Sequence, residues 1–159
     1  MLAGAVELMG ATGDNEYQED IVDLAKYCYS VFAKPRRING ATYREWPTDA
    51  SALQGFNVWF DNVLMRAYFD ATSTGLSNYT DLSLQSFQTN LDYAYDNHLK
   101  GAFLPINLLD GWGDSSKTKG FHQASFAAEY ALLAIWAYRA LAPSVQTPAD
   151  KMNTDNRIY

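Results

Sequence analysis

Two kinds of helical pattern alternate along this chain. From Leu53 to Ala71 the run LQGFNVWFDNVLMRAYFDA is apolar on nearly every side, with Asp61, Asn62 and Arg66 set into it. Such a helix has no face left to give to water and is expected to be packed all round. Phe121 to Ala142 reads the same way apart from Glu129 and Arg139. The other helices carry a single apolar stripe. Tyr17, Ile21, Leu24, Cys28 and Phe32 recur at steps of three or four, as do Leu84, Phe87, Leu91, Ala94 or Tyr95, and His98 within a helix from about Thr80. Met1 to Gly10 reads as the last turns of a further apolar helix, with no cap ahead of it and a glycine at its end, as if the chain began partway through an element.

The segments between these patterns carry their own signals. Asp14 is placed to cap the second helix, with Glu16 and Glu19 in its first turn, and Lys34-Pro35 stops it because the residue before a proline is pushed away from helical angles. Arg36 to Gln54 and Leu99 to Gly120 read as long loops, Thr72 to Asn78 as a short turn, and residues 143–159 as a mobile polar tail. The order of apolar helix, turn, striped helix and long loop recurs with a period of roughly 60 residues. That order predicts an all-α, two-layer array of helical hairpins, either a closed toroid or an open solenoid, with the apolar helices inside. Parallel inner helices put every long loop on one rim, which gathers Tyr43, Trp46, Trp59, Phe60, Asp61, Trp112, His122 and Gln123 at one end. Arg66 and Glu129 fall at similar depths in the two apolar helices and are expected to pair, because a buried charge without a partner is strongly unfavourable.

Composition narrows the chemistry. The 159 residues suffice for one domain, and no apolar run of about 18 residues spans a membrane. A net charge of −6 argues against a phosphate-backbone partner. Cys28 is the only cysteine, and His98 and His122 lack metal-ligand spacing, so neither a metal nor a cofactor is expected. The N-terminal MLAGAVELMG has no basic region of the kind that opens a signal peptide. Aromatic residues make up 14% of the chain, which fits either a sugar-stacking surface or an aromatic core.

Three stretches together resemble the C-terminal half of glycoside hydrolase family 76, the α-1,6-mannanase-like proteins. They are Ala11-Thr12-Gly13-Asp14 leading to Tyr17, the segment Phe60-Asp61-Asn62-Val63-Leu64-Met65-Arg66, and Gln123-Ala124-Ser125 opening an alanine-rich helix. The resemblance implies that residues 1–142 are part of an (α/α)6 toroid, the C-terminal half of a larger domain. It also implies a secreted, periplasmic or cell-surface location and a mannan-like oligosaccharide or polysaccharide ligand. Trp46, Trp59, Phe60, Asp61, Asp110, Trp112 and Gln123 are then the expected substrate contacts, with tryptophans stacking on sugar faces and Asp61 and Gln123 bonding hydroxyls. Asp61 and Asn62 stand where the family usually has Lys and Gly. The family's adjacent catalytic aspartates have no counterpart, since the chain contains no Asp-Asp pair. Glycoside hydrolysis requires two carboxyls at a set separation, and sequence fixes no distance between any two of the rim carboxylates Glu45, Asp49, Asp61, Asp110 and Asp114. The open edge of such a half toroid predicts self-association. The alternative is a non-catalytic helical scaffold or protein-interaction module.

Overall fold

The structure, a computed structural model, describes residues 1–47, 57–113 and 120–141. The expectations placed on Asp49, Leu53, Gln54, Asp114, Ala142 and the tail from 143 lie outside those residues. The chain is mostly helical with one small sheet. Helix α1 spans Leu2–Thr12 and α2 Glu16–Phe32; strands β1 (Lys34–Ile38) and β2 (Ala41–Glu45) follow, then α3 (Asn57–Thr72), α4 (Asn78–His98) and α5 (Gly120–Leu141).

The first helix runs past Gly10. It ends at Gly13, whose left-handed backbone at φ 68° lets its N–H close on the Met9 carbonyl at 2.9 Å. Thr12 Oγ1 then accepts from the Asp14 N–H, and Asp14 Oδ1 accepts from the Glu16 N–H at 3.0 Å, which starts α2 where the acidic turn indicates. Ile21 and Ala25 of α2 are fully buried, and Tyr68 of α3 donates its hydroxyl to the Ala25 carbonyl at 3.1 Å. Helix α4 is capped by Ser77, whose Oγ accepts from the Tyr79 N–H, and it buries Leu84, Phe87, Leu91 and Ala94 as one stripe.

The stretch read as a loop after Pro35 begins instead with a β-hairpin. Antiparallel pairing runs from Lys34 opposite Glu45 to Ile38 opposite Ala41, closed by Asn39-Gly40 at φ 50° and 86°. Two successive positive φ values match the twist that a two-residue hairpin turn demands, and Asn-Gly adopts them at least cost. Asn90 Nδ2 donates to the Arg44 carbonyl at 2.7 Å and Tyr43 packs edge-on against Tyr93, so β2 lies against α4.

Helix α3 is the hub: it packs against α1, α4 and α5, while α2 packs on α1 and α4. Val58, Met65, Ala67, Tyr68 and Ala71 of α3 are buried. It is not enclosed on all sides, however. Trp59, Phe60 and Val63 are each about half exposed, and Arg66 and Asp70 are exposed with them. At 100° per residue, positions 59, 63, 66 and 70 form one stripe, and no other element of the described chain lies over it. Helix α5 likewise leaves Phe121, Ile135 and Tyr138 exposed.

Candidate functional site

The expected Arg66–Glu129 ion pair does not form. Arg66 lies on the exposed stripe of α3, about 140° around the helix from Asp61. Glu129 is 2% exposed, and its neighbours are Asp61 and Ser125. The register explains this. Asn62 Nδ2 donates to the Ser125 carbonyl and Ser125 Oγ to the Val58 carbonyl, each at 3.2 Å, so Ser125 sits level with the first turn of α3. One turn further along α5, Glu129 comes level with Asp61 rather than Arg66.

Asp61 and Glu129 line a narrow cleft that is partly open to solvent. Its walls come from five parts of the chain: Glu45 and Trp46 at the end of β2, Val58 and Asp61 from α3, Phe87 and Asn90 from α4, residues 107–109, and Phe126 and Glu129 from α5. Asp61 shares its side of α3 with the buried Met65 and Tyr68, so the cleft opens between the helices and the hairpin, away from the stripe carrying Trp59.

The electrostatics of this cleft are unusual. Burial pushes the Asp61 carboxyl up to about 8. Burial pushes Glu129 up as well, and the charge that Asp61 acquires on ionising raises it further. Ser125 Oγ has one proton. It is shared between the Val58 carbonyl at 3.2 Å and Glu129 Oε1 at 3.5 Å, and the bond to Glu129 offsets part of the upward push on that carboxyl. Burial outweighs that bond, so Glu129 stays displaced upward. Across the cleft, Asn90 is 4% exposed, and its Oδ1 is a buried acceptor with no hydrogen-bond partner among the described residues. A buried acceptor in that state calls for a donor from a bound molecule or water.

At the mouth the charges are conventional. Arg36 Nη1 donates to Glu45 Oε1 at 2.7 Å, and Arg36 Nη2 donates to Asp110 Oδ1. Arg36 and the Asn107 amide, which donates to Asp110 Oδ2, hold the Asp110 carboxyl below the ordinary carboxylate range. Asn107 Oδ1 in turn accepts from the N–H groups of Leu109 and Asp110, a turn that presents residues 107–109 to the cleft.

The expected sugar contacts fare unequally. Asp61 and Trp46 do line the cleft, but Trp46 is 3% exposed, with one face stacked on Phe87 at 4.3 Å and its Nε1 donating to Ser86 Oγ. It is a core residue that offers the cleft an edge. Gln123 is spent on structure: its Oε1 accepts from the Leu104 N–H and its Nε2 donates to the Leu104 carbonyl. Trp112 donates to the His98 carbonyl at 2.5 Å, and the Lys100 ammonium lies 5.3 Å from its ring centroid, so neither its N–H nor that face is open to a sugar. Asp110 is tied to Arg36 and Asn107, and Trp59 and Phe60 lie outside the cleft. Glu129 and Asn90 were not anticipated at the site. Among the described residues no group of three or more His, Cys, Asp or Glu side chains is arranged to hold a metal ion. No helix among them is long and apolar enough to cross a membrane. Comparison with family models, with curated proteins and with solved structures finds no match for this chain.

Proposed function

We propose that this chain supplies one wall of a carbohydrate groove in a glycan-active α/α assembly of the glycoside hydrolase family 76 type, with mannan-like oligosaccharides as its ligand. The observation that carries this reading is the cleft itself. It brings together the Asp61 and Glu129 carboxyls, both pushed toward the neutral form by burial, and the Asn90 amide, with two carboxyl groups bound to Arg36 at the mouth. A polyhydroxylated ring gives and takes hydrogen bonds at every hydroxyl and matches that mixture, whereas an anionic or cationic ligand would find no opposite charge at the floor. Two of the stretches that carry the family resemblance converge here, since Asp61 belongs to the Phe60–Arg66 segment and Ser125 opens toward Glu129. The packing of α3 against both α1 and α5, with α2 on α1 and α4, supports a two-layer reading of the helices.

Titration of intrinsic tryptophan fluorescence with α-1,6-manno-oligosaccharides, with Trp46 at the cleft edge as reporter, tests the reading. Saturable quenching by mannosides at millimolar or lower concentration, weakened in Asp61→Asn, is the expected result. No response at millimolar sugar refutes it. One observation favours a second reading as a protein-interaction scaffold: Trp59, Phe60 and Val63 form an apolar stripe on an exposed helix face. Sedimentation of the full chain tests that reading, which predicts self-association that Trp59→Ser with Val63→Ser abolishes.

A further inference from the structure

We propose that Asn78 is a modification site, whose amide nitrogen carries an N-linked oligosaccharide at the start of α4, away from the cleft. Asn78-Tyr79-Thr80 is the one Asn-x-Ser/Thr tripeptide in the chain, and x is not proline. So short a motif also arises by chance, and its place in the fold decides whether it can be used. Asn78 is the first residue of α4, directly after the turn that leaves α3, and it is exposed. Capping of α4 falls to Ser77, whose Oγ accepts from the Tyr79 N–H at 3.2 Å, and the Asn78 amide bonds to none of the described residues. The fold therefore makes no use of that amide. Asn62 and Asn90, by contrast, are buried and donate to the Ser125 and Arg44 carbonyls.

The surroundings of Asn78 accept an attached sugar without rearrangement. Tyr79 packs on Tyr29 with ring centroids 5.6 Å apart and Thr80 is buried, so the two following residues anchor the backbone and leave Asn78 outside. Leu82, one turn along the same face, is 40% exposed and is the apolar surface that the first sugar would cover. Phe87 and Asn90, which are the share of α4 in the cleft, lie ~14 and ~18 Å further along the helix at 1.5 Å per residue, so the cleft stays open. Thr80 Oγ1 donates to the Ser77 carbonyl at 2.6 Å, which closes off the hydroxyl of the tripeptide once α4 has packed. Transfer therefore belongs to the nascent chain. The donor is a lipid-linked oligosaccharyl diphosphate. Its anomeric carbon bonds to Asn78 Nδ2 as the bond to the phosphate oxygen breaks; the lipid diphosphate leaves with that electron pair and the amide gives up one proton. None of this depends on what the cleft binds.

The test directs the full chain into the secretory pathway of a eukaryotic host cell and reads its intact mass from cells and medium together. One added oligosaccharide is expected, removed by peptide N-glycosidase with aspartate left at position 78 and marked when the digestion is run in heavy-oxygen water. Asn78→Gln and Thr80→Ala should lose the addition, and Thr80→Ser should keep it together with the buried hydroxyl bond. Wild type at its unmodified mass overturns the inference, as does an addition that survives Asn78→Gln. The glycosylated chain should unfold at a urea midpoint no lower than that of the digested chain. A midpoint lowered by the glycan would show that the fold does not accommodate it, and would overturn the inference as well.

Discussion

Replacing Asp61 by asparagine should stabilise the protein, and by an amount that grows with pH. The asparagine amide has the shape of the neutral carboxyl and cannot ionise. In the wild type, the fold holds Asp61 protonated up to about pH 8, whereas the unfolded chain releases that proton near the ordinary aspartate value of 3.8. A folded-state value above the unfolded one means stability that is fully present below pH 4 and is lost as pH rises toward 8. The slope over that window is ~1.4 kcal/mol per pH unit. At pH 7 the accumulated loss would reach ~4 kcal/mol for a fully enclosed group; the side of Asp61 open to the cleft admits water and brings the expected gain from Asp61→Asn to ~2–4 kcal/mol. Urea unfolding of both proteins at half-unit steps from pH 4 to 9 measures it. The two curves should meet near pH 4, diverge through pH 8 and run parallel above. A difference independent of pH would show that Asp61 is ionised and solvated in the folded protein.

Other substitutions probe neighbouring parts of the argument by the same unfolding measurement. Glu129→Gln should leave the pH-dependent gap between wild type and Asp61→Asn in place, because burial alone displaces Asp61; loss of the gap would make Glu129 its cause. Arg66→Ala should change stability by less than ~0.5 kcal/mol, since the residue is exposed; a loss of ~3–5 kcal/mol would restore the buried pair with Glu129. Arg36→Gln should cost no more than ~1 kcal/mol at pH 7, given the partial exposure of both its ion pairs. Because Arg36 lowers the Asp110 value, that cost is present above pH ~4 and closes as pH falls below it; a gap that persists at pH 2 would contradict the pairing. Gly111→Ala should lose ~2–3 kcal/mol, as its φ is +80° and an added Cβ would lie 2.7 Å from His98 Nδ1. An unchanged urea midpoint would mean that the His98 ring gives way freely.

Periodicity carried most of the helical framework and little of the site. The stripes of α2 and α4 follow directly from apolar residues spaced by three and four, because a helix with one stripe has one way to bury it. The hairpin was legible too, in Asn39-Gly40 between Ile38 and Ala41, but the Pro35 and paired arginines beside it read as the end of a helix and a loop. Helical phase alone separates Arg66 from Asp61 and joins it to Trp59, Val63 and Asp70. Counting residues from each helix start could not place Glu129, because the relative register of α3 and α5 is set by Asn62 and Ser125 bonding to backbone across the interface, not by equal distance from the helix ends. The tryptophans misled for a related reason. Composition records how many aromatic rings there are, and only packing decides whether a face such as that of Trp46 is already covered by Phe87.

The cleft can also be weighed against a purely structural role for its carboxyls. Asp61 and Glu129 occupy space that leucine or methionine would fill without desolvating an ionisable group, and apolar replacements of buried polar clusters commonly leave proteins as stable or more so. Asn90 could be excused on its own, because its Nδ2 pins β2 to α4, yet its buried Oδ1 has no partner among the described residues and the residue lines the same cleft. Three polar groups from three helices, Asp61 half-buried and Asn90 and Glu129 buried, pair with no cation among the described residues and line one cleft. Packing requirements are local and would scatter such defects through the core. Their convergence on one cleft is what a ligand able to donate and accept hydrogen bonds would offset.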